Sequence, residues 1–341
     1  METSGNAPRV SVIIPNYNYA KTLEACLESV FSQTLPPYEV IVSDDASTDG
    51  SPEIAERFPC LLVRAPRNRG VSAARNAGVA ASTGDILFFM DSDQALASDA
   101  IEQAVKALRD EAGYDCVHGV IAPEPMIDDG PVEWVMTMLA HFARMRAAGP
   151  TVTVYFQAAA MHRSVFEDVG PFDESLRDFE DVEYSERLSA KYRIGLSDKV
   201  VVYHDDEDRL PDLLSEQYRR SQLMIPFVAA HRNRPGALRP NSTLGVAMAS
   251  LTVATLPAFL VSRKLAALPL LSATVFACSN PGLYRFVLRR RGPRFLGRFA
   301  GIHFLLNVAI AAGAAAGGLR SLRDPDFGRP AVRGGGSATS S

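Results

Sequence analysis

The 341-residue sequence predicts an α/β fold, a mostly parallel sheet flanked by helices and followed by C-terminal transmembrane or membrane-associated helices. Two observations predict it. Short β-branched runs alternate with amphipathic helical runs through the first half, the pattern of strands covered by helices on both faces. Beyond about residue 240 the chain turns into three long, nearly uncharged stretches separated by arginines.

In order along the chain, Val10–Ile14 is a β-branched strand ended by Pro15. Lys21–Gln33 then spaces Leu23, Cys26, Leu27, Val30 and Phe31 along one helix face. Val40–Val42 is a buried strand, followed by the turn-rich run Asp44 to Gly50; Ser51 can cap a helix that has Pro52 at its first position. Leu61–Val63, Ile86–Met90 and Val117–Ile121 read as strands, Val71–Ala80 and Ser98–Leu108 as helices. A less regular region holds strand Val152–Phe156, helix Glu180–Lys191, strand Lys199–Tyr203 and an Arg-rich amphipathic helix, Leu213–Arg232. In open α/β sheets ligands bind beyond the carboxyl ends of the strands, so chemistry is expected just after each strand.

The apolar third begins with Thr243–Ser262, about 20 residues without a charge, enough to cross roughly 30 Å of hydrocarbon. Leu265–Val287 is interrupted near its end by Asn280, Pro281 and Arg285, and Phe299–Gly318 is rich in Ala and Gly. The alternative is a buried helical domain of a soluble protein, but arginine clusters between the stretches favour an anionic membrane surface. Positive residues at Arg289–Arg298 place that expected loop on the same side as the first domain. The tail beyond Arg320, rich in Gly, Ser and Arg, is expected to be disordered.

A net charge of −4 gives no support to nucleic-acid binding. Cys26, Cys60, Cys116 and Cys278 lie far apart and form no metal or redox pair, which fits a reducing compartment. No apolar run precedes the first strand, so attachment to a membrane is expected from the C-terminal third.

Three places carry candidate chemistry. Asp91-Ser92-Asp93 follows strand Ile86–Met90; such pairs are mostly solvated turns or helix caps, but two carboxylates one residue apart at the end of a buried strand can share a hard divalent cation, Mg²⁺ or Mn²⁺, that neutralises a departing diphosphate. Asp44-Asp45 follows the second strand; Asp45 can accept the N3–H of a uracil on which Tyr17 stacks, or the pair is an Asx-type turn. Arg69 to Gly78 opens a helix with small residues and carries Arg75 one turn in, an arrangement suited to a diphosphate, although Arg75 can instead be an ordinary surface ion-pair residue.

Taken in order, Val10–Asn18, Val40–Ser51, Asn76-Ala77-Gly78 and Gly84–Asp93 resemble the successive motifs of the family 2 glycosyltransferases, which have the GT-A fold. The resemblance covers about residues 9–205 and continues through Phe156–Glu174, similar to the family's acceptor-side segment. It implies nucleotide contacts at Pro15, Tyr17, Asp45, Arg75 and Asp91, and metal ligation by Asp91, Asp93 and His204. It also implies that Asp181 is the general base and that Glu180 orients the acceptor, although the pair also suits a helix N-terminus.

The expected domains are an N-terminus at 1–8, the catalytic domain at 9–210, a juxtamembrane helix and linker at 211–240, two to three membrane helices at 241–320 and a tail at 321–341. The expected reaction moves one sugar, with inversion, from a nucleotide-sugar, by expectation a UDP-sugar, to a hydroxyl of a lipid-linked, polysaccharide or glycan acceptor. The expected location is the cytoplasmic membrane, with the catalytic domain facing the cytosol. Processive synthases of the family carry Gln-x-x-Arg-Trp; here Gln217-Tyr218-Arg219-Arg220-Ser221 ends in Ser, which favours transfer of a single sugar. Phe179 stands where many members have Gly. The competing reading is a non-catalytic sugar-nucleotide-binding or scaffolding membrane protein; retention of Asp45, Asp91, Asp93 and Asp181 argues against it.

Overall fold

The computed structural model describes residues 8–109, 113–223, 242–258, 262, 264–265, 267–324 and 327. The chain divides into two compact units, one taking in Met1–Arg209 and Arg285–Phe299, the other Leu210–Arg234, Asn241–Tyr284 and Ala300–Ser341.

The first unit is built on one sheet. Its strands are β1 (Val10–Asn16), β2 (Glu39–Asp44), β3 (Leu61–Arg64), β4 (Ile86–Met90), β5 (Gln94–Leu96), β6 (Cys116–Ile121), β7 (Gly149–Thr151), β8 (Ala158–His162) and β9 (Ile194–His204). They lie in the order β3-β2-β1-β4-β8-β6-β9-β5, with β7 on β9. The four strands from β3 to β4 pair in parallel, as the strand–helix alternation predicts. β8 then runs antiparallel to β4 and β6, and β5 and β7 run antiparallel to β9, so the far half of the sheet is mixed.

Helices α1 (Leu23–Phe31), α2 (Ser51–Ala55), α3 (Val71–Ala81), α4 (Ala100–Arg109), α5 (Pro131–Arg146), α6 (Arg163–Val169) and α7 (Glu180–Ser189) complete the unit. The central strands are buried on both faces, and period-two alternation divides their side chains between two cores. Val12, Ile14, Phe88 and Met90 join Leu23 and Leu27 of α1 and Ile101 and Val105 of α4 in one core. Ile13, Leu87 and Phe89 join Phe156, Phe172 and Tyr184 in the other. A Cβ at Gly78 would lie 2.6 Å from Cγ2 of Ile13, so the glycine of Asn76-Ala77-Gly78 lets α3 approach β1.

Residues 152–156 are not a strand. The amide of Val154 donates to Oγ of Ser185 (2.9 Å) and that of Phe156 to Oδ2 of Asp181 (3.4 Å), so side chains of α7 take the hydrogen bonds a neighbouring strand would take. Ser51 lies inside α2 rather than capping it, and its hydroxyl and amide both donate to Oδ1 of Asp49.

In the second unit, α8 (Leu210–Gln222) corresponds to the expected amphipathic helix up to residue 222; residues 224–232 fall outside the described ones. The apolar stretches form α9 (Thr243–Thr255), α10 (Ala267–Cys278) and the long α11 (Pro281–Arg323). Of the described helices, α11 alone is long and apolar enough to cross a membrane. With 13 and 12 residues, α9 and α10 rise only about 20 Å at 1.5 Å per residue, short of the roughly 30 Å needed. Thr252 of α9 donates to Ser272 of α10 at 2.9 Å. Gly313 and Gly317 of α11 lie against the carbonyls of Tyr218 and Gln222 of α8, a close approach that small residues permit.

The segment expected as a loop, Arg289–Arg298, is helical apart from a break at Gly292 (φ 77°, ψ 177°), just before Pro293. This Arg-rich start of α11 belongs to the first unit. Phe286 stacks on His141 of α5 (centroids 5.5 Å apart), Arg291 lies 3.8 Å over the ring of Trp134, and Arg290 pairs with Glu124 at 2.9 Å.

Candidate active site

The loops after β1, β2, β4 and β9 open at the carboxyl ends of their strands, beside the first turns of α3 and α7. Among the described residues three non-glycines have positive φ: Asn18 (60°), Ala46 (64°) and Phe179 (65°). The first two follow β1 and β2, and the third caps α7, so left-handed backbone gathers around the site. At position 179 the entry from the preceding loop into α7 takes this conformation, which glycine adopts without the cost a phenylalanine bears.

Pro15 is buried at the end of β1, paired with Ser43 of β2, and Tyr17 beyond it is 43% exposed. Asp44 and Asp45 are both buried, and they divide their work. Asp44 accepts from Nδ2 of Asn16 (2.9 Å) and from the amide of Ser47 (3.1 Å), which locks the β2 turn to β1. Asp45 accepts from the amides of Arg69 (2.8 and 3.0 Å) and Gly70 (2.6 Å), and so holds the entry to α3.

Arg75 is the centre of the arrangement. It is 2% exposed, and its guanidinium reaches Oδ1 of Asp91 (3.0 Å), Oε1 of Glu180 (3.1 Å) and Oδ1 of Asp181 (3.1 Å). Arg75 is thus an ion-pair residue, but a buried one with three carboxylates, unlike the surface residue of the alternative. The rings of Phe156 and Phe172 lie 5.6 and 5.5 Å from its guanidinium carbon and help to shield it from water.

Burial, and then the neighbouring charges of Glu180 and Asp91, push the carboxyl of Asp181 up to about 7 against the pull of Arg75. A carboxylate poised near neutrality can take a proton from a hydroxyl at physiological pH. Glu180 and Asp181 open α7, where the helix dipole favours their charge.

On the other side of Asp91, Asp93 is pushed up to about 6, chiefly by burial. Nε2 of His204 lies 3.8 Å from Oδ1 of Asp93, and Nδ1 lies 3.0 Å from Oδ2 of Asp206. Burial opposes the charge on His204, but Asp206 and Asp93 outweigh it and raise the imidazole to about 9. Asp93 Oδ1 is buried and makes no hydrogen bond. A buried, unsatisfied carboxylate oxygen facing an imidazole, with a second carboxylate one residue away, fits a divalent cation such as Mg²⁺ or Mn²⁺. Among the described residues no three of His, Cys, Asp and Glu stand at mutual ligating positions.

Sequence reasoning missed several members. Asp206, the partner of His204, lies in the acidic run that follows β9, and that run was a visible signal. Asn76, inside a quoted motif, accepts from the amide of Phe172 (2.9 Å) and donates to the Phe172 carbonyl (3.0 Å), fastening the segment before α7 to α3. Glu133 in the first turn of α5 is fully buried and raised to about 8, by burial first and by Asp205 and Asp129 after it; nothing in its sequence neighbourhood announced this.

A sheet of this order, with an Asp-x-Asp turn after its central strand and a pair of acids at the start of a helix, defines a GT-A-type domain. Residues 11–170 match the model of the family described as Glycosyl transferase family 2. Glycosyltransferase AglE of Haloferax volcanii is 32% identical over 226 residues, 62% of this chain and 71% of that one. Chondroitin synthase of Pasteurella multocida is 29% identical over 153 residues, 40% of this chain but 16% of the synthase. Among solved structures, the mannosyltransferase PcManGT from Pyrobaculum calidifontis, in complex with GDP-Man and Mn²⁺, superposes with a TM-score of 0.57 at 23% identity, covering 94% of this chain and 88% of that one; this likeness bears on the fold. The chain belongs to glycosyltransferase family 2, and it is a glycosyltransferase.

Proposed function

We propose that the chain transfers one sugar, with inversion, from a UDP-sugar to a hydroxyl of a lipid-linked, polysaccharide or glycan acceptor at the cytoplasmic face of a membrane. The observation that carries this reading is the half-buried Asp181, raised to about 7 and joined through Arg75 to Asp91 of the Asp-x-Asp turn.

Tyr17 stacks on the base, and Pro15 and Asp45 shape the loop that receives it. Asp91 meets the ribose and, with Asp93 and His204, would hold a divalent cation. The metal supplies positive charge for the departing diphosphate. PcManGT was solved with an ion of the same class, Mn²⁺. Arg75, whose donors are engaged by three carboxylates, acts on the nucleotide through Asp91 rather than by direct contact. Glu180 orients the acceptor, whose hydroxyl loses its proton to Asp181. The hydroxyl oxygen forms the new bond to the anomeric carbon as the bond to the diphosphate oxygen breaks on the opposite face, and that electron pair leaves with the nucleotide. One base and one leaving group give inversion. The apolar length of α11 supports attachment to a membrane, and the arginines at its start support a cytoplasmic orientation.

Calorimetric titration of the detergent-purified chain with UDP, GDP and dTDP, each with and without Mn²⁺, tests the donor site. Metal-dependent binding of UDP alone is the expected result. Tighter binding of GDP or dTDP would replace the uridine assignment, and no binding of any of them to folded protein would sink the transferase site.

A further inference from the structure

Arg144, near the end of α5, is a second buried guanidinium next to the base, and its bonding differs from that of Arg75. It is 8% exposed, donates to the carbonyl of Gly119 at 3.3 Å and to Oε1 of Gln157, and lies 5.0 Å over the ring of Tyr155. Among the described residues no carboxylate lies within ion-pair distance of it. It feels the charges of Asp181, Asp206 and Asp91 without touching any of them.

A buried cation without a counter-ion is costly, and burial alone weakens its hold on its proton. Its neighbours hold it in place without neutralising it: Tyr155 and Gln157 flank Phe156, whose amide donates to Asp181. The guanidinium is therefore fixed within electrostatic reach of Asp181, and its hydrogen bonds go to neutral oxygens rather than to a carboxylate.

We propose that Arg144 binds an anionic group of the acceptor, the phosphate of a lipid-linked acceptor whose hydroxyl is presented to Asp181. The proposal rests on the transferase reading above. A carboxylate of an acidic sugar has similar chemistry. The lipid phosphate is favoured because α5 also seats the Arg-rich start of α11 through Trp134 and His141. There Arg290, Arg291, Arg294 and Arg298 line, with Phe295, a cavity of about 420 Å³. Such a lining suits an amphiphile at an anionic surface better than a soluble acidic glycan.

The test uses the full chain in detergent, saturated with UDP and Mn²⁺ and titrated with citronellyl phosphate, citronellol and methyl glucuronide. In the wild type the phosphate is expected to bind roughly tenfold or more tightly than the alcohol. Arg144→Gln should erase that ratio and Arg144→Lys should keep part of it, with UDP affinity unchanged in both. A lysine that restores the ratio separates charge recognition from a purely structural role. Equal binding of phosphate and alcohol by the wild type overturns the proposal without reference to any variant, and so does a ratio that survives in a folded Arg144→Gln. Arg144-dependent binding of the glucuronide in place of the phosphate overturns the lipid assignment. Failure of UDP to bind the wild type sinks the donor-site reading instead, and the phosphate-to-alcohol ratio is still read on the nucleotide-free protein.

Discussion

Replacing Asp181 by Asn should make the protein more stable and nearly inactive at the same time. In the fold this carboxyl has a pKa of about 7, against an ordinary 3.8. Keeping it ionised at pH 8 therefore costs the folded state roughly 4 kcal/mol. Asparagine carries no charge to bury. It offers one acceptor oxygen where Asp181 uses two, Oδ1 for Arg75 and Oδ2 for the amide of Phe156. Losing one of those bonds to a charged or buried donor returns about 1–3 kcal/mol of the gain. The net expectation is a gain of about 2 kcal/mol, a melting point on the order of 5 °C higher at pH 8. The folded chain keeps this proton up to about pH 7 while the unfolded chain releases it near 3.8, so the wild-type penalty grows with pH between those values and is flat above. At pH 5 the two proteins should melt close together. Thermal melts of both at pH 5 and pH 8, alongside transfer assays, read the two effects separately. Loss of a general base should cut turnover by about 10²- to 10⁴-fold while nucleotide affinity stays within a small factor. A variant that melts lower than wild type at pH 8, or differs by the same amount at both pH values, refutes the strained-carboxylate argument. Transfer retained within a small factor removes Asp181 from the base role.

The same titration should shape the rate: turnover is expected to fall on the acid side of about pH 7 as Asp181 takes up its proton, and the pH–rate profile of Asp181→Glu should keep an acid limb at a shifted midpoint. Asp93→Asn should abolish the Mn²⁺-dependent part of UDP binding and leave the metal-free part unchanged, as read by paired calorimetric titrations. Cutting the chain after residue 240 removes Phe286 and Arg291 and bares His141 and Trp134. The fragment should stay out of the membrane pellet on sedimentation yet melt lower than the full chain, and equal melting would show that the start of α11 adds nothing to the first unit.

Much of the parallel half of the sheet was legible because its strands are continuous apolar runs ended by turn residues, a pattern that depends on local sequence alone. Ala158–His162 was not legible as a strand. Three alanines carry little strand preference, and the segment is held by its neighbours β4 and β6 rather than by its own chemistry. Helix α5 escaped for the opposite reason, because buried Glu133 and Arg144 sit among its apolar positions and blur the period. In the site, the residue types after each strand pointed to the right loops. Their pairings did not follow from spacing: Arg75 meets residues 105 and 106 positions away. Phe179 is an instructive case, since its departure from the family's usual glycine marks a left-handed backbone that was invisible until the dihedral was known.

The single guanidinium of Arg75 answers one carboxylate of the Asp-x-Asp turn and both acids at the start of α7. Evolution can therefore edit this enzyme unevenly. On the roles proposed above, the loops bearing Tyr17 and Asp45 can drift toward a new nucleotide, and the surroundings of Arg144 toward a new acceptor, one substitution at a time. The four-residue charge knot between them is bound more tightly: losing Arg75 would leave Asp91, Glu180 and Asp181 with no cation to answer them, and losing Asp181 would remove the proposed base. Among descendants of this chain, partner preference should diversify around a reaction centre that stays frozen.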